Sequence, residues 1–299
     1  MKQRLRTGAL IVLATVLAIF SKLLPLGIGE YIFDVFILMV ILIASCEMSN
    51  IMEKMNKPTN KLMTFIYPII YYIVLMICTS NGVIFPLITL IEIAVLLIYS
   101  FIVWIAETTI YKGGSIKNTL STVLNTMVAC VYPTFVFGLF LNINHIDIYG
   151  GKYLSLILII FVVAVTMLTD TFAYLVGSKV RGPKLAPSIS PNKTISGAVG
   201  GLVGGVAGAM LLYWISTAIP ALNSVLVMHG IAWWQFLLLG LVASVFGQAG
   251  DLFESKLKRY SNIKDSSNIF PGHGGMLDRI DAMIFVVVFV FLYATLLIL

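Results

Sequence analysis

Long apolar runs alternate with short polar segments along the whole chain. Crossing a bilayer takes about 20 mainly apolar residues in a helix. By this criterion the spans are approximately residues 8–24, 30–46, 62–80, 83–105, 118–141, 153–178, 195–218, 230–253 and 280–299. The pattern therefore predicts an all-α, polytopic integral membrane protein with about nine transmembrane helices.

The first apolar run has a second interpretation. It follows the basic sequence MKQRLR, and residues 16–18 form a weak signal-peptidase cleavage pattern. A signal peptide would be followed by a secreted domain, whereas this chain continues with further spans. We therefore expect an uncleaved first span.

Composition supports the membrane assignment. The 299 residues are 60% hydrophobic and 11% charged, whereas soluble domains contain about 25% charged residues. The three cysteines, Cys46, Cys78 and Cys130, lie in or beside apolar runs without CxxC spacing, which is typical of small buried side chains rather than zinc ligands or disulfides.

The formal net charge of +6 could suggest a nucleic-acid partner. In a membrane protein, basic excess reports topology and contact with anionic lipid. With the N-terminus in the cytoplasm, 17 of the 19 Lys and Arg residues fall on the cytoplasmic side, and only Lys22 and Lys152 do not. This asymmetry predicts a multi-pass cell-membrane protein, without a nucleic-acid partner, whose polar clusters and active site face the cytoplasm. The basic residues on that side are Lys2, Arg4, Arg6, Lys54, Lys57, Lys61, Lys112, Lys117, Lys179, Arg181, Lys184, Lys193, Lys256, Lys258, Arg259, Lys264 and Arg279.

A Gly-rich run at residues 197–208 resembles a phosphate-binding loop only superficially. It lacks the GK[ST] ending and lies inside an apolar span. Glycines at helical spacing favour close helix packing instead. We divide the chain into N-terminal transmembrane helices, residues 1–117, and a C-terminal transmembrane catalytic part, residues 118–299.

Two polar clusters lie near the end of the sixth predicted span and just before the seventh. Residues 170–177 (DTFAYLVG) place Asp170 inside a span, where an ionisable group is costly and indicates function, although pairing with a neighbouring helix is an alternative. Residues 177–197 supply hydroxyl, amide and ammonium groups just before a helix. Such a helix N-terminus is a natural anion site, whereas an ordinary basic loop would explain only the lysines.

The third cluster is residues 255–281, here called the polar segment, together with Asp251 and Glu254. Asp278 and Asp281 are three residues apart, so a helix would place both on one face, where they could share Mg²⁺. Basic side chains could balance phosphoryl charge, the glycines could bring backbone amides close to it, and His273 could orient a phosphate or act as a base. The structural alternative is an ion-pair cap on the last helix.

The polar segment resembles the defining pattern of the phosphatidate cytidylyltransferases (CDP-diacylglycerol synthases). The matching positions are Ser255, Leu257, Lys258, Arg259, Lys264, Asp265, Phe270, Pro271, His273, Gly274, Gly275, Met276, Asp278, Arg279, Ile280 and Asp281. Two earlier runs, DTFAYLVG and KLAPSISPNKTISG, resemble family segments as well. The resemblance covers approximately residues 150–299, and the first half matches only in being apolar.

The resemblance implies transfer of a cytidylyl group from CTP to phosphatidic acid at the cytoplasmic face of the bilayer. It implies Asp251, Asp278 and Asp281 as catalytic and metal-binding carboxylates, holding one or two Mg²⁺ ions with a monovalent ion as a possible addition, and Lys264 as a further catalytic residue. The substrate-binding residues are expected to be Asp170, Tyr174, Ser190, Lys193, Thr194, Lys258, Arg259, His273, Gly274, Gly275 and Arg279. The resemblance and the Gly-rich run are both compatible with a homodimer.

Other functions use similar features. A CTP-dependent lipid kinase, or a cytidylyltransferase acting on an isoprenoid ether lipid, would need similar cytoplasmic chemistry. The DxxDGxxAR arrangement of CDP-alcohol phosphotransferases is absent from the sequence. An ion-coupled transporter would place acids near the bilayer midplane, often within internal repeats, whereas here the acids gather at one face.

Overall fold

The computed structural model describes residues 2–24, 27–109, 115–151 and 153–298. Eight helical spans in these ranges are long and apolar enough to cross a membrane, which confirms the polytopic all-α prediction. One of them, Ile116–Asn144, consists of α5, a π-helical turn and α6 in the list that follows. The helices are α1 Lys2–Ser21, α2 Ile28–Lys54, α3 Lys61–Ser80, α4 Phe85–Thr109, α5 Ile116–Cys130, α6 Phe137–Asn144, α7 Asp147–Gly150, α8 Leu154–Val180, α9 Ile195–Ala218, α10 Pro220–Met228, α11 Trp233–Tyr260 and α12 Leu277–Ile298.

The predicted first span, residues 8–24, is too short in the structure to be counted among the eight spans. Helix α1 begins at Lys2, but its apolar part runs only over Arg6–Ser21. At 1.5 Å per residue this part is about 24 Å long, less than the roughly 30 Å hydrocarbon core. Two lysines that the charge pattern places on opposite sides of the membrane, Lys112 and Lys152, lie outside the described residues.

The chain forms two compact units. The first comprises Met1–Asn142 and Tyr260–Arg279, and the second comprises Ile143–Arg259 and Ile280–Leu299. Helix α12 therefore begins in the first unit and continues in the second. Our division of the chain between residues 117 and 118 stays a prediction about where catalysis resides.

The first unit packs helices around a core of aromatic side chains. Tyr67 and Tyr71 of α3 are fully buried, and Phe33 of α2 packs on Phe140 with ring centroids 6.5 Å apart. The span Ile116–Asn144 contains a π-helical turn, Val131–Val136, between α5 and α6. This turn contains Pro133, which has no N–H for the regular α-helical hydrogen bond.

In the second unit, α8 and α9 lie in close contact along the Gly-rich run. A Cβ on Gly205 would lie 1.8 Å from Ser244 Oγ of α11, and one on Gly204 would lie 2.5 Å from Phe172 Cβ of α8. The predicted close packing is confirmed, and the glycine face is buried inside the chain. The run therefore gives no separate support to a homodimer.

Three elements of the second unit differ from the predicted spans. A two-stranded antiparallel hairpin, β1 Lys184–Ala186 and β2 Ser190–Thr194, forms within the loop before α9. A short helix, α10, follows α9, with proline at its first position. Helix α11 continues to Tyr260, so Asp251 and Glu254 lie within its last turns rather than at its end.

Candidate active site

A cavity of about 450 Å³ opens in the second unit, where several polar helix ends meet. This volume is within the range of small-molecule sites. The last turns of α8, the hairpin, the start of α9 and the second half of α11 form its walls. It brings together five predicted site residues: Asp170, Tyr174, Lys193, Thr194 and Asp251.

The hairpin is fixed at both ends. Arg181 and Gly182 adopt positive φ angles of 58° and 107°, which reverse the chain after α8. The amide of Ile195 donates to the carbonyl of Pro183 over 3.0 Å, and Thr194 caps α9 by accepting from the amide of Gly197 over 3.1 Å. The predicted helix N-terminus at residue 195 is confirmed, and it lies beside the cavity.

An ion pair joins two of the elements that line the cavity. Lys193 Nζ of β2 lies 2.5 Å from Asp251 Oδ2 of α11, and the two side chains are 27% and 29% exposed. The pair is thus reached by solvent but only partly screened by it. An ammonium held in place at the mouth of a helix N-terminus is suited to binding an anion.

Asp281 belongs to an acidic cluster that we define as Asp251, Glu254 and Asp281. Its carboxyl group interacts electrostatically with both other acids and hydrogen-bonds to the side chain of Glu254. Gly250 allows this approach, since a Cβ there would lie 2.6 Å from the backbone oxygen of Asp281. The glycine immediately before Asp251 is the sequence signal that could have linked α11 to α12.

Two predicted substrate-binding residues at the end of α11 contact the protein itself. Lys258 Nζ lies 2.9 Å from Oε2 of the fully buried Glu254. Arg259 Nε donates to the carbonyl of Ile189, at the hairpin turn, over 3.2 Å. Arg259 thus joins the end of α11 to the hairpin, whereas Lys258 pairs within α11 itself.

The polar segment forms a tight turn in the first unit. Gly272 and Gly274 both have φ of 80°, a conformation that favours glycine, and Phe270 N donates to Gly274 O over 3.0 Å. The imidazole of His273 lies against Gly8 of α1, where a Cβ would be 3.2 Å from Nε2. The side chains of Lys264 and Arg279 are exposed, so a ligand can reach them from solvent.

Asp278 has a different environment from Asp281. Its side chain is buried, and Oδ2 accepts from the amide of Gly275 over 2.7 Å and from both the amide and the hydroxyl of Ser266 over 2.9 Å. These contacts favour a structural role at the start of the last helix, as in the alternative raised above, but these donors are neutral groups rather than an ion-pair partner. The amide of Gly275, predicted to approach a phosphate, is here bonded within the loop.

Our sequence analysis did not identify Glu47, a residue of α2 that is only 2% exposed. Its Oε2 accepts from Ser266 Oγ over 2.9 Å and from Leu277 N over 2.8 Å. Its Oε1 accepts from Ser267 Oγ over 2.6 Å and from Met276 N over 3.0 Å. Glu47 thus anchors the polar segment to α2 at the start of α12; an acid at the end of a span was its only sequence signal.

The acidic cluster fits a hard divalent cation better than a soft one. Carboxylate oxygens are the preferred ligands of Mg²⁺, which usually takes one or two of them together with substrate phosphates and water. Within the described ranges, no group of three or more His, Cys, Asp or Glu side chains is arranged to hold a metal ion.

Comparison with known proteins decides the family. The profile of the cytidylyltransferase family matches residues 2–297. The chain belongs to this family. The match extends through the first half of the chain, where our sequence-based resemblance was weak.

Individual relatives have matching names. Proteins named phosphatidate cytidylyltransferase are 33% identical over 178 residues in Bacillus subtilis (strain 168), 40% over 147 residues in Staphylococcus saprophyticus and 30% over 170 residues in Thermotoga maritima. These alignments cover 59%, 49% and 57% of this chain, and 60%, 52% and 58% of the respective relatives. The chain thus matches just over half the length of these family members.

Proposed function

We propose that the protein transfers the cytidylyl group of CTP to phosphatidic acid, giving CDP-diacylglycerol and pyrophosphate. The observation that supports this best is the Lys193–Asp251 ion pair beside a cavity at the ends of membrane helices. The family and the names of the relatives support the same reaction. Phosphatidic acid keeps its acyl chains in the bilayer, so its phosphate must meet CTP at such a membrane surface.

The reaction needs no covalent intermediate on the protein. A phosphate oxygen of the lipid attacks the α-phosphorus of CTP, forming a new P–O bond. The bond from the α-phosphorus to the oxygen that bridges it to the β-phosphorus breaks, and its electron pair leaves with pyrophosphate. Positioning the two phosphates and stabilising their charge therefore supply the catalysis.

Each part of the cavity has a role in this proposal. Lys193 binds a phosphate oxygen of CTP, while Asp251 holds the ammonium in position. The amides at the start of α9 and Thr194, together with Ser190 at the start of β2, contact the phosphates, and Asp170 and Tyr174 also line the cavity. Tyr174 is 74% exposed and so is available to a ligand.

Asp251 and Asp281 are the side chains that we assign to Mg²⁺, with Glu254 as their buried neighbour. The ion would neutralise charge that develops on the phosphates. The contacts of Asp278 favour a supporting role in the polar segment, although metal binding by this residue, a second Mg²⁺ and a monovalent ion all remain part of the family-based expectation. We further propose that the cavity faces the cytoplasm, where CTP is made, and that the protein lies in the cell membrane.

The test is turnover by purified protein in mixed micelles of detergent and phosphatidic acid. We expect labelled CDP-diacylglycerol from labelled CTP with Mg²⁺, and none after chelation. Asp281→Asn should lower kcat by at least about 100-fold, since it removes a negatively charged ligand of the Mg²⁺ ion that would stabilise the reacting phosphates. The control is Glu53→Gln, at the exposed end of α2, where Glu53 forms an ion pair with Lys61.

Two results would contradict the proposal. Turnover of an isoprenoid ether lipid phosphate, without turnover of phosphatidic acid, would reassign the lipid substrate. Equal turnover by wild type and Asp281→Asn would remove the acidic cluster from the chemistry.

A further inference from the structure

The interior of the first unit contains an acidic side chain far from the polar segment in sequence. Glu92 lies seven residues after the first residue of α4 and is 1% exposed. Its Oε2 accepts from Tyr71 Oη of α3 over 3.2 Å and from Asn142 Nδ2 of α6 over 2.9 Å. Three helices thus direct polar groups to one point inside an apolar bundle.

Four buried oxygen atoms on these three helices have no hydrogen-bond partner among the described residues: Tyr67 Oη, Thr89 Oγ1, Glu92 Oε1 and Asn142 Oδ1. Tyr67 interacts electrostatically with Glu92 and Tyr71. Thr89 lies one helical turn before Glu92, on the same face of α4. Asn142 is bonded to Glu92 through its other amide atom.

These oxygen atoms would be stabilised by a positively charged ligand. A carboxylate oxygen and an amide oxygen can only accept, and leaving such acceptors buried and unsatisfied costs free energy. Hydroxyl oxygens can turn their lone pairs towards the same guest. A group of oxygen acceptors around one carboxylate is the composition of a site for a hard cation.

Charge favours a cation over water. Helices α3 and α4 and the span Ile116–Asn144 contain only two basic residues, Lys61 and Lys117, each in the first turn of its helix, and Lys61 pairs with Glu53. The remainder of these elements supplies no basic partner for Glu92. The contacts of Glu92 that the structure shows are with neutral groups. An unpaired carboxylate at this depth in a membrane is costly, and a bound cation removes that cost.

We propose that Tyr67, Thr89, Glu92 and Asn142 form a binding site for a small monovalent cation such as Na⁺ or K⁺. One carboxylate with three neutral oxygens provides a single negative charge, which matches a monovalent ion better than a divalent one. The site lies in the first unit and is separate from the acidic cluster, so the inference does not rest on the proposed function. Its role is to stabilise the packing of α3, α4 and α6.

The test is thermal unfolding of the purified full-length protein in detergent, with Na⁺, K⁺ or Li⁺ replacing choline at constant ionic strength. A ligand that binds only the folded state raises the unfolding midpoint as its concentration passes its dissociation constant. We expect a saturable rise of about 3 °C with at least one of these ions. Glu92→Gln should abolish the rise, and Thr89→Val, which keeps the charge, should shift it to higher ion concentration.

Two controls locate the effect. Glu107→Gln removes another buried acid of α4, one that already accepts from Asn60 Nδ2 over 2.6 Å, and should leave the rise intact. Asp251→Asn should also leave it intact, which separates this site from the candidate active site. No difference between the ions and choline, or a rise that persists in Glu92→Gln, would overturn the proposal. The proposal would also be overturned if the unfolding midpoint depended on pH, lost this dependence in Glu92→Gln, and did not respond to the ions. Glu92 would then bind a proton instead of a cation.

Discussion

Lys193 and Asp251 are 58 residues apart in sequence, yet they form the ion pair that defines the candidate site. The lysine by itself indicated an anion site, and the aspartate by itself indicated a metal ligand. Their contact suggests that each sets the other's position before substrate arrives. Charge that is held in place in advance stabilises a transition state without further reorganisation.

Replacing Lys193 tests this arrangement. We expect Lys193→Met to lower kcat/KM for CTP by about 10² to 10³-fold, as when one charge-stabilising donor is removed from other active sites. The side chain is partly exposed, so the unfolding midpoint should change little. The control is Lys184→Met in β1, an exposed residue on the same hairpin. Similar kcat/KM values for the two variants would exclude Lys193 from the site.

At the scale of elements, the first turn of α12 depends on a residue more than 200 positions earlier. Glu47 accepts hydrogen bonds from the amides of Met276 and Leu277, at the start of α12. A negative charge at a helix N-terminus is favourable because it interacts with the helix dipole. The following turns contain Asp278 and Asp281, so Glu47 supports the position of both.

Removing this anchor should affect stability as well as activity. Glu47→Gln keeps the size of the side chain, but its amide group must face backbone or hydroxyl donors. We expect a loss of about 3 kcal/mol in the free energy of unfolding, because buried donors lose a charged acceptor. Thermal and denaturant unfolding measure this, with Glu53→Gln at the exposed end of α2 as the matched control. An unchanged midpoint in Glu47→Gln would show that the anchor is dispensable.

Local patterns predicted the helices better than the contacts between them. The span predicted at residues 195–218 coincides with α9, because its apolar composition and the Thr194 cap are both local features. The hairpin was missed because its strands are three and five residues long and polar. Glu47 was missed because nothing near it in sequence indicates partners at residues 266–277.

At the scale of the whole molecule, basic residues predict the orientation in the membrane. The loop after α8, which contains the hairpin, should lie on the cytoplasmic side, because it is rich in Lys and Arg. The end of α3 should lie on the opposite side. This orientation would give the cavity direct access to CTP.

Labelling of single cysteines tests the orientation. In a variant whose three cysteines are replaced by serine, Ser80→Cys at the end of α3 should react with a membrane-impermeant maleimide on intact cells. Ser178→Cys, which lines the cavity, should react only after permeabilisation. The reverse pattern would contradict the predicted topology.

The central claim is that the cytidylyl group of CTP, rather than its terminal phosphate, is transferred to the lipid. The most direct measurement compares CTP labelled at the α-phosphate with CTP labelled at the γ-phosphate, using phosphatidic acid and the purified protein. We predict that the α-label enters the lipid product and that the γ-label is released as pyrophosphate. Transfer of the γ-label to lipid, with the α-label left in CDP, would identify a CTP-dependent lipid kinase and contradict the account.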